Sequence, residues 1–348
     1  MGKLVMWLAC LGLLAGLAQG FSLIETYQLF AWLQQGRALH VVEVCGVAEA
    51  EPQSQQHLPN AKRISLKDLS DLSMWPILKT PRQDVFIQLM KAYGIKKDTT
   101  EVVLYDSSGV LYSAKAWWVF TVFGRTHVQV LNGGLPKWIR EGYATSPAIS
   151  GPNPTALHLD SDYLYQLDMS RNWNMQELSA LVGVLQSTAP APPVQLIDVR
   201  MKGDFDAKNV KGSINMPIDI ARRADGTLRS AVELKVIFQM YAVRTTNETL
   251  TVVIGMNGVD SSTALLSLAV VGSSHSAMVD GGWVEYSSWL KAAPTAVFQQ
   301  SHETDYSGGE KGLPTWWITG LGALMVLGIA TMTLKRRHFV AYNTQKWL

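Results

Sequence analysis

Short apolar runs rich in β-branched residues recur along the middle of the chain. Each is followed by a small-residue loop and then a longer apolar stretch. Glu101–Tyr105 reads as a strand, Asp106-Ser107-Ser108-Gly109-Val110 as a loop and Ser113–Phe123 as a helix. Val128–Leu131 reads as a second strand and Asn132-Gly133-Gly134 as a turn. The succession returns as strand Leu250–Ile254, loop Gly255-Met256-Asn257-Gly258-Val259 and helix Ser261–Val271, then strand Ala277–Val279 and turn Asp280-Gly281-Gly282. From loop start to turn the copies span 26 and 25 residues. Upstream, strand Val41–Val44 corresponds to Val194–Asp198, and His57-Leu58-Pro59-Asn60-Ala61 to Asn209-Val210-Lys211-Gly212-Ser213. A duplicated strand–loop–helix unit predicts an α/β protein of two domains, each a parallel sheet with helices on both faces.

The ends follow a different pattern. Residues 4–19 are an apolar run behind Lys3, closing on Leu17-Ala18-Gln19-Gly20. Residues 1–24 therefore read as a signal peptide or as an N-terminal membrane helix extended through Phe21 to Ile24. Thr315–Leu334 is 20 residues without a charge, opening on Trp316-Trp317 and stopping at Lys335-Arg336-Arg337. Interfacial tryptophans, a bilayer-length apolar run and a basic stop predict a transmembrane helix, with the tandem domains on the side opposite the basic tail. The expected organisation is a first domain at 25–147, a linker at 148–158 and a second domain at 159–298. A spacer at 299–314, a membrane helix at 315–334 and a tail at 335–348 complete it.

Composition narrows the chemistry. Thirty basic and 28 acidic residues leave a net charge of +2 over 348 residues, interspersed along the chain, so a nucleic-acid surface has no footprint. Cys10 and Cys45 are the two cysteines, too few for a disulfide framework, a four-cysteine zinc site or an iron–sulfur cluster. No Walker A loop, dinucleotide fingerprint, His-Glu-x-x-His helix or EF-hand loop occurs, and no metal or cofactor is implied.

Several stretches resemble the tandem rhodanese-type sulfurtransferases, the thiosulfate and 3-mercaptopyruvate sulfurtransferases. In the first half these are Tyr105-Asp106, Ser113-Ala114-Lys115-Ala116-Trp117-Trp118-Val119-Phe120, Val122-Phe123-Gly124 and Val130-Leu131-Asn132-Gly133-Gly134-Leu135-Pro136-Lys137-Trp138. In the second they are Ile197-Asp198-Val199-Arg200, Gly212-Ser213-Ile214-Asn215-Met216-Pro217, Asp225-Gly226-Thr227-Leu228 and Asp280-Gly281-Gly282-Trp283-Val284-Glu285-Tyr286. The resemblance covers roughly residues 22–295, with both domains in register.

It implies a cysteine that carries sulfane sulfur, placed first in the loop after the second domain's central strand. Here that position is Gly255, followed by Met256, Asn257, Gly258, Val259 and Asp260. Neither the hydroxyl of Ser261 nor the carboxylate of Asp260 can form and release a persulfide. A serine hydrolase would need a base in reach, and His275, in a Gly-Ser-Ser-His-Ser turn, is expected to be exposed.

Arg200 matches a family arginine that helps hold the anionic substrate; its alternative is a structural pair with Asp198 or a loop carboxylate. Cys45 reads as a small buried filler at a strand end, His57 as structural and Asp106 as a helix cap. Asn247-Glu248-Thr249 is a glycosylation sequon.

The sequence thus predicts a catalytically inactive, membrane-anchored pseudoenzyme serving as a structural or accessory subunit of a larger membrane protein complex. A mitochondrial respiratory or ATP-synthase assembly, with the domains in the intermembrane space, is the expected setting; a secretory-pathway type I membrane protein is the alternative. Two further readings stay open: an anion or sulfur-ligand sensing module built on the vestigial loop, and a residual sulfurtransferase acting through Cys45.

Overall fold

A computed structural model describes residues 22–47, 56–74, 78–97, 100–147, 151, 160–187 and 193–292. The apolar runs at 4–19 and 315–334, nearly all of the 148–158 linker, the 299–314 spacer and the basic tail lie outside these residues. Among the described residues no helix is long and apolar enough to cross a membrane.

Two five-stranded sheets, all parallel, belong to one compact unit. The first contains β1 (Leu23–Ile24), β2 (Leu39–Cys45), β3 (Lys62–Ser65), β4 (Glu101–Tyr105) and β5 (Val128–Leu131), in the order β1-β5-β4-β2-β3. The second contains β6 (Asn172–Trp173), β7 (Val194–Asp198), β8 (Ile214–Asn215), β9 (Leu250–Ile254) and β10 (Ser276–Val279), in the order β6-β10-β9-β7-β8. The orders are the same, strand for strand, as the sequence duplication requires.

Each sheet is covered on both faces. In the first domain α1 (Thr26–Gln34) and α4 (Gly134–Arg140) cover the face carrying Val41, Val103 and Tyr105; α2 (Gln83–Tyr93) and α3 (Tyr112–Val122) cover the other. In the second, α5 (Met175–Gln186) and α9 (Gly282–Ala292) cover one face, and α7 (Ala231–Met240) and α8 (Gly258–Val270) the other; α6 (Lys202–Ala207) is a short helix without a buried residue. The α3 and α8 layers meet, so one apolar core runs from Val42, Phe86 and Phe120 through Trp118 to Val259, Leu265 and Val253. This contact explains why both helices are apolar all round: each has a sheet on one side and the other domain on the other. Trp117 and Trp118 are packed residues of that layer.

Three boundaries differ from expectation. Leu23 and Ile24 pair with Val130 and Leu131 as the edge strand of the first sheet, so they are part of the domain and not of an N-terminal helix. Residues 160–168, expected to open the second domain, run along the first: Tyr165 Oη donates to the Ile95 carbonyl, and the Asp168 N–H donates to Val122 O. Helix α8 starts at Gly258 rather than Ser261. The Asn257 side chain accepts the Val259 N–H at 2.9 Å, and this cap draws two residues of the expected loop into the first turn.

Candidate functional site

Residues 255–257 link β9 to α8 and residues 258–260 form its first turn, the place where a parallel sheet presents its loops and a helix N-terminus to a ligand. Gly255 is buried, and its carbonyl accepts the Trp283 N–H at 2.8 Å while Met256 O accepts the Val284 N–H at 3.2 Å. The Gly281-Gly282 turn is what permits this close approach. Gly282 has φ +57°, and a Cβ there would lie 2.8 Å from the carbonyl oxygens of both Gly255 and Met256.

Burial pushes the Asp260 carboxyl up from the ordinary range, against the opposing pull of Arg222 and the Met256 amide. Gly258 is constrained from the other domain: a Cβ on it would stand 2.6 Å from Nζ of Lys115. Lys115 projects from α3, is 1 % exposed, and among the described residues has no hydrogen-bond partner; Asp280 stands 3.6 Å away. Burial pulls its ammonium down from its usual range and Asp280 pulls it back up. Asp280 in turn accepts the Thr80 N–H at 2.9 Å, Thr80 Oγ1–H at 3.0 Å and Asn172 Nδ2–H at 3.3 Å. The loop is thus backed by a cross-domain polar knot. One signal in the sequence marks it, a single lysine inside the apolar Ser113–Phe123 run.

Arg200 lies two residues past β7 and is bonded through Nε and Nη2. Its Nη2 donates to Asp198 Oδ2 at 2.6 Å and to the Lys208 carbonyl at 2.8 Å, Nε donates to Asp198 Oδ1 at 3.0 Å, and the guanidinium stacks 3.7 Å from the Trp283 ring. Its Nε–Nη2 edge is held by Asp198 and its face is covered by an indole, which commits this edge to a structural pair. The structure therefore places it with Asp198, the structural alternative.

The remaining candidates separate cleanly. Cys45 is buried in β2, its Sγ 3.9 Å from Ile64 O. His57 is buried with Nδ1 2.6 Å from Glu43 Oε2, which also accepts from Tyr105 Oη at 3.0 Å, while Arg63 holds Glu43 Oε1 at 2.7 Å. Asp106 accepts from Ser108 N, Ser113 N and Ser113 Oγ and closes the first-domain loop; burial raises its carboxyl. His275 departs from the exposed reading, being half-buried with Nδ1 enclosed and, among the described residues, unbonded. Asn247 is exposed and ties the Gly272–Ser274 turn through Ser274 N at 2.8 Å. A cleft of about 400 Å³ between the domains lies at the Asn132 turn, bordered by Lys137, Arg140, Arg223 and Asp225, and the 255–260 loop does not line it.

Comparison with known proteins agrees with this architecture. The rhodanese-like domain model matches residues 30–141 and 182–288. Mouse thiosulfate sulfurtransferase is 27 % identical over 313 residues, spanning 84 % of this chain and 97 % of that protein. Human 3-mercaptopyruvate sulfurtransferase is 26 % identical over 255 residues, 71 % and 81 % of the two chains. The crystal structure of SseA from Escherichia coli superposes with a TM-score of 0.62 at 20 % identity, covering 75 % of this chain and 98 % of that one. The chain belongs to the rhodanese-like domain family, carries two copies of the domain in tandem, and has sulfurtransferases as its homologues.

Proposed function

We propose that this protein is a catalytically inactive member of the family, held at a membrane by its C-terminal apolar segment and serving as a structural or accessory subunit of a membrane protein complex. One observation carries the reading: Gly255 occupies the loop position from which the homologues' chemistry is expected, and the chain's two cysteines lie elsewhere. A glycine offers no atom to accept sulfane sulfur, and the buried thiol of Cys45 lies at the end of β2 in the first domain. The commitment of Arg200 to Asp198 and Trp283 argues against the sensing alternative, because it removes a cation from the pocket.

What the chain retains is the two-domain body. The shared α3–α8 core and the Thr80–Asp280 bonds make it a single block whose surface is available for docking. A partner interface of ordinary size needs on the order of 800 Å² per side, and a membrane segment raises effective concentration by tethering. The mitochondrial inner membrane, with the body in the intermembrane space, remains our preferred setting.

Two measurements test this. The purified full chain should transfer no sulfur from thiosulfate or 3-mercaptopyruvate to cyanide or thiols; turnover lost in a Cys45→Ser variant would overturn the inactive reading. Native purification in mild detergent should recover a larger assembly, and deletion of 315–348 should lower incorporation. A body that is solitary in its native host would overturn the subunit reading.

A further inference from the structure

The space directly beside Gly255 is taken up by the first turn of α8. A Cβ on Gly255 would begin 2.9 Å from Ser261 Oγ and 3.0 Å from both the Asp260 Cβ and the Ser261 nitrogen. The Val259 N–H, one of the helix's unpaired donors, is already taken by Asn257 Oδ1. Among the described residues, Arg222 meets Asp219 at 3.2 Å and acts on Asp260, Lys115 faces Asp280, and Arg200 is bonded to Asp198.

We propose that Asp260 closes this loop to anions and thiolates on its own account, a second barrier to sulfur chemistry that is independent of the residue at 255. The inference rests on the inactive reading and deepens it. The first turn of a helix attracts negative charge, and here the third helical residue supplies that charge from within. An incoming anion then meets an existing carboxylate and no unmatched cation. A thiol built at 255 would share its site with the same carboxylate, which opposes its ionisation.

The test compares Gly255→Cys with Gly255→Cys/Asp260→Asn in the full chain. Thiolate formation is followed by iodoacetamide alkylation against pH. In that reaction the thiolate sulfur bonds the reagent's methylene carbon and iodide leaves with its electron pair. Peptide mass spectrometry separates the new thiol from Cys10 and Cys45. The expected titration lies above the ordinary value of about 8.5 in the single variant. It falls by at least about one unit in the double variant, a tenfold gain in thiolate near neutrality. Equal titrations would overturn the proposal.

Should the new side chain prevent folding, Asp260→Asn alone decides. Thiosulfate should quench tryptophan fluorescence saturably in that variant and not in the wild type, with Trp283 adjoining the loop. Saturable quenching of the wild type, or none in Asp260→Asn, would overturn it as well. Wild-type turnover of thiosulfate would remove the inactive reading while leaving these comparisons standing.

Discussion

Asp280 and Lys115 form a buried pair across the two domains, and their environments are unequal. Asp280 accepts from three donors, Thr80 N–H, Thr80 Oγ1–H and Asn172 Nδ2–H, besides its contact with the ammonium, whereas among the described residues Lys115 has the 3.6 Å contact alone. Removing the acid by Asp280→Ala strips those donors of their acceptor and leaves a buried cation uncompensated. Breaking a buried pair in this way costs about 3–5 kcal/mol. Removing the base by Lys115→Met takes out the poorly satisfied partner, fills the same space with apolar atoms and leaves the Asp280 bonds in place. Its cost should be no more than about 1.5 kcal/mol, because relief of the lysine's desolvation offsets the lost attraction. Equilibrium urea denaturation, followed by tryptophan fluorescence, measures both changes. Asp280→Ala should also split the transition in two, since the bonds it deletes join the domains. If Lys115→Met costs as much as Asp280→Ala, the pair is balanced and the argument fails.

Further outcomes follow from other sites. Gly282→Ala should destabilise by about 2 kcal/mol or more, since it combines a φ of +57° with contacts to two carbonyl oxygens, read as a fall in melting temperature. His40, half-buried beside Lys62 and Arg125, is pulled down to about 4 by burial first and then by those cations. It is neutral in the fold. The stability this secures is complete above about pH 6.5 and is lost as pH falls toward 4; with discounting for partial exposure it amounts to roughly 1–2 kcal/mol. His40→Gln, which keeps an acceptor for Lys62 Nζ, should flatten that limb of the stability–pH curve. Mass spectrometry of the mature N-terminus should find Phe21 if the leader is cleaved after Gly20, which preserves β1, and Met1 or Gly2 if it is retained.

The duplicated core was legible because it is periodic. Strands Glu101–Tyr105, Val128–Leu131, Val194–Asp198 and Leu250–Ile254 fall where the apolar runs place them, since a strand buried on both faces writes itself as a continuous apolar segment. The place of Gly255 directly after β9 was legible as well, because the apolar run ends at Ile254. Interactions joining segments distant in sequence left no periodic trace. Lys115 and Asp280 are 165 residues apart, and neither has a local pattern that names the other. Residues 160–168 resembled a domain opening because of the linker composition before them, and their tyrosines packed on the first domain instead. The two-residue strand β1 was absorbed into the apolar N-terminal run, because a segment that short carries no period of its own. His275 was misjudged for a related reason: a polar turn predicts exposure, and tertiary packing enclosed one ring nitrogen.

The interface between the domains is built from equivalent places. Asn132 ends β5 and accepts the Leu228 N–H at 2.8 Å; Asp280 ends β10 and accepts the Thr80 N–H at 2.9 Å. Such an arrangement is the geometry of a twofold dimer written into one polypeptide. In a dimer of identical chains both positions would have to carry the same side chain, and a buried carboxylate would appear twice or not at all. Joining the copies frees each half to choose separately. One side has settled on a neutral amide, the other on a charged acid with a lysine brought across to meet it. The covalent link therefore does more than hold two domains together: it lets a symmetric contact become a polarised one, with a buried acid and lysine on one side and an amide on the other.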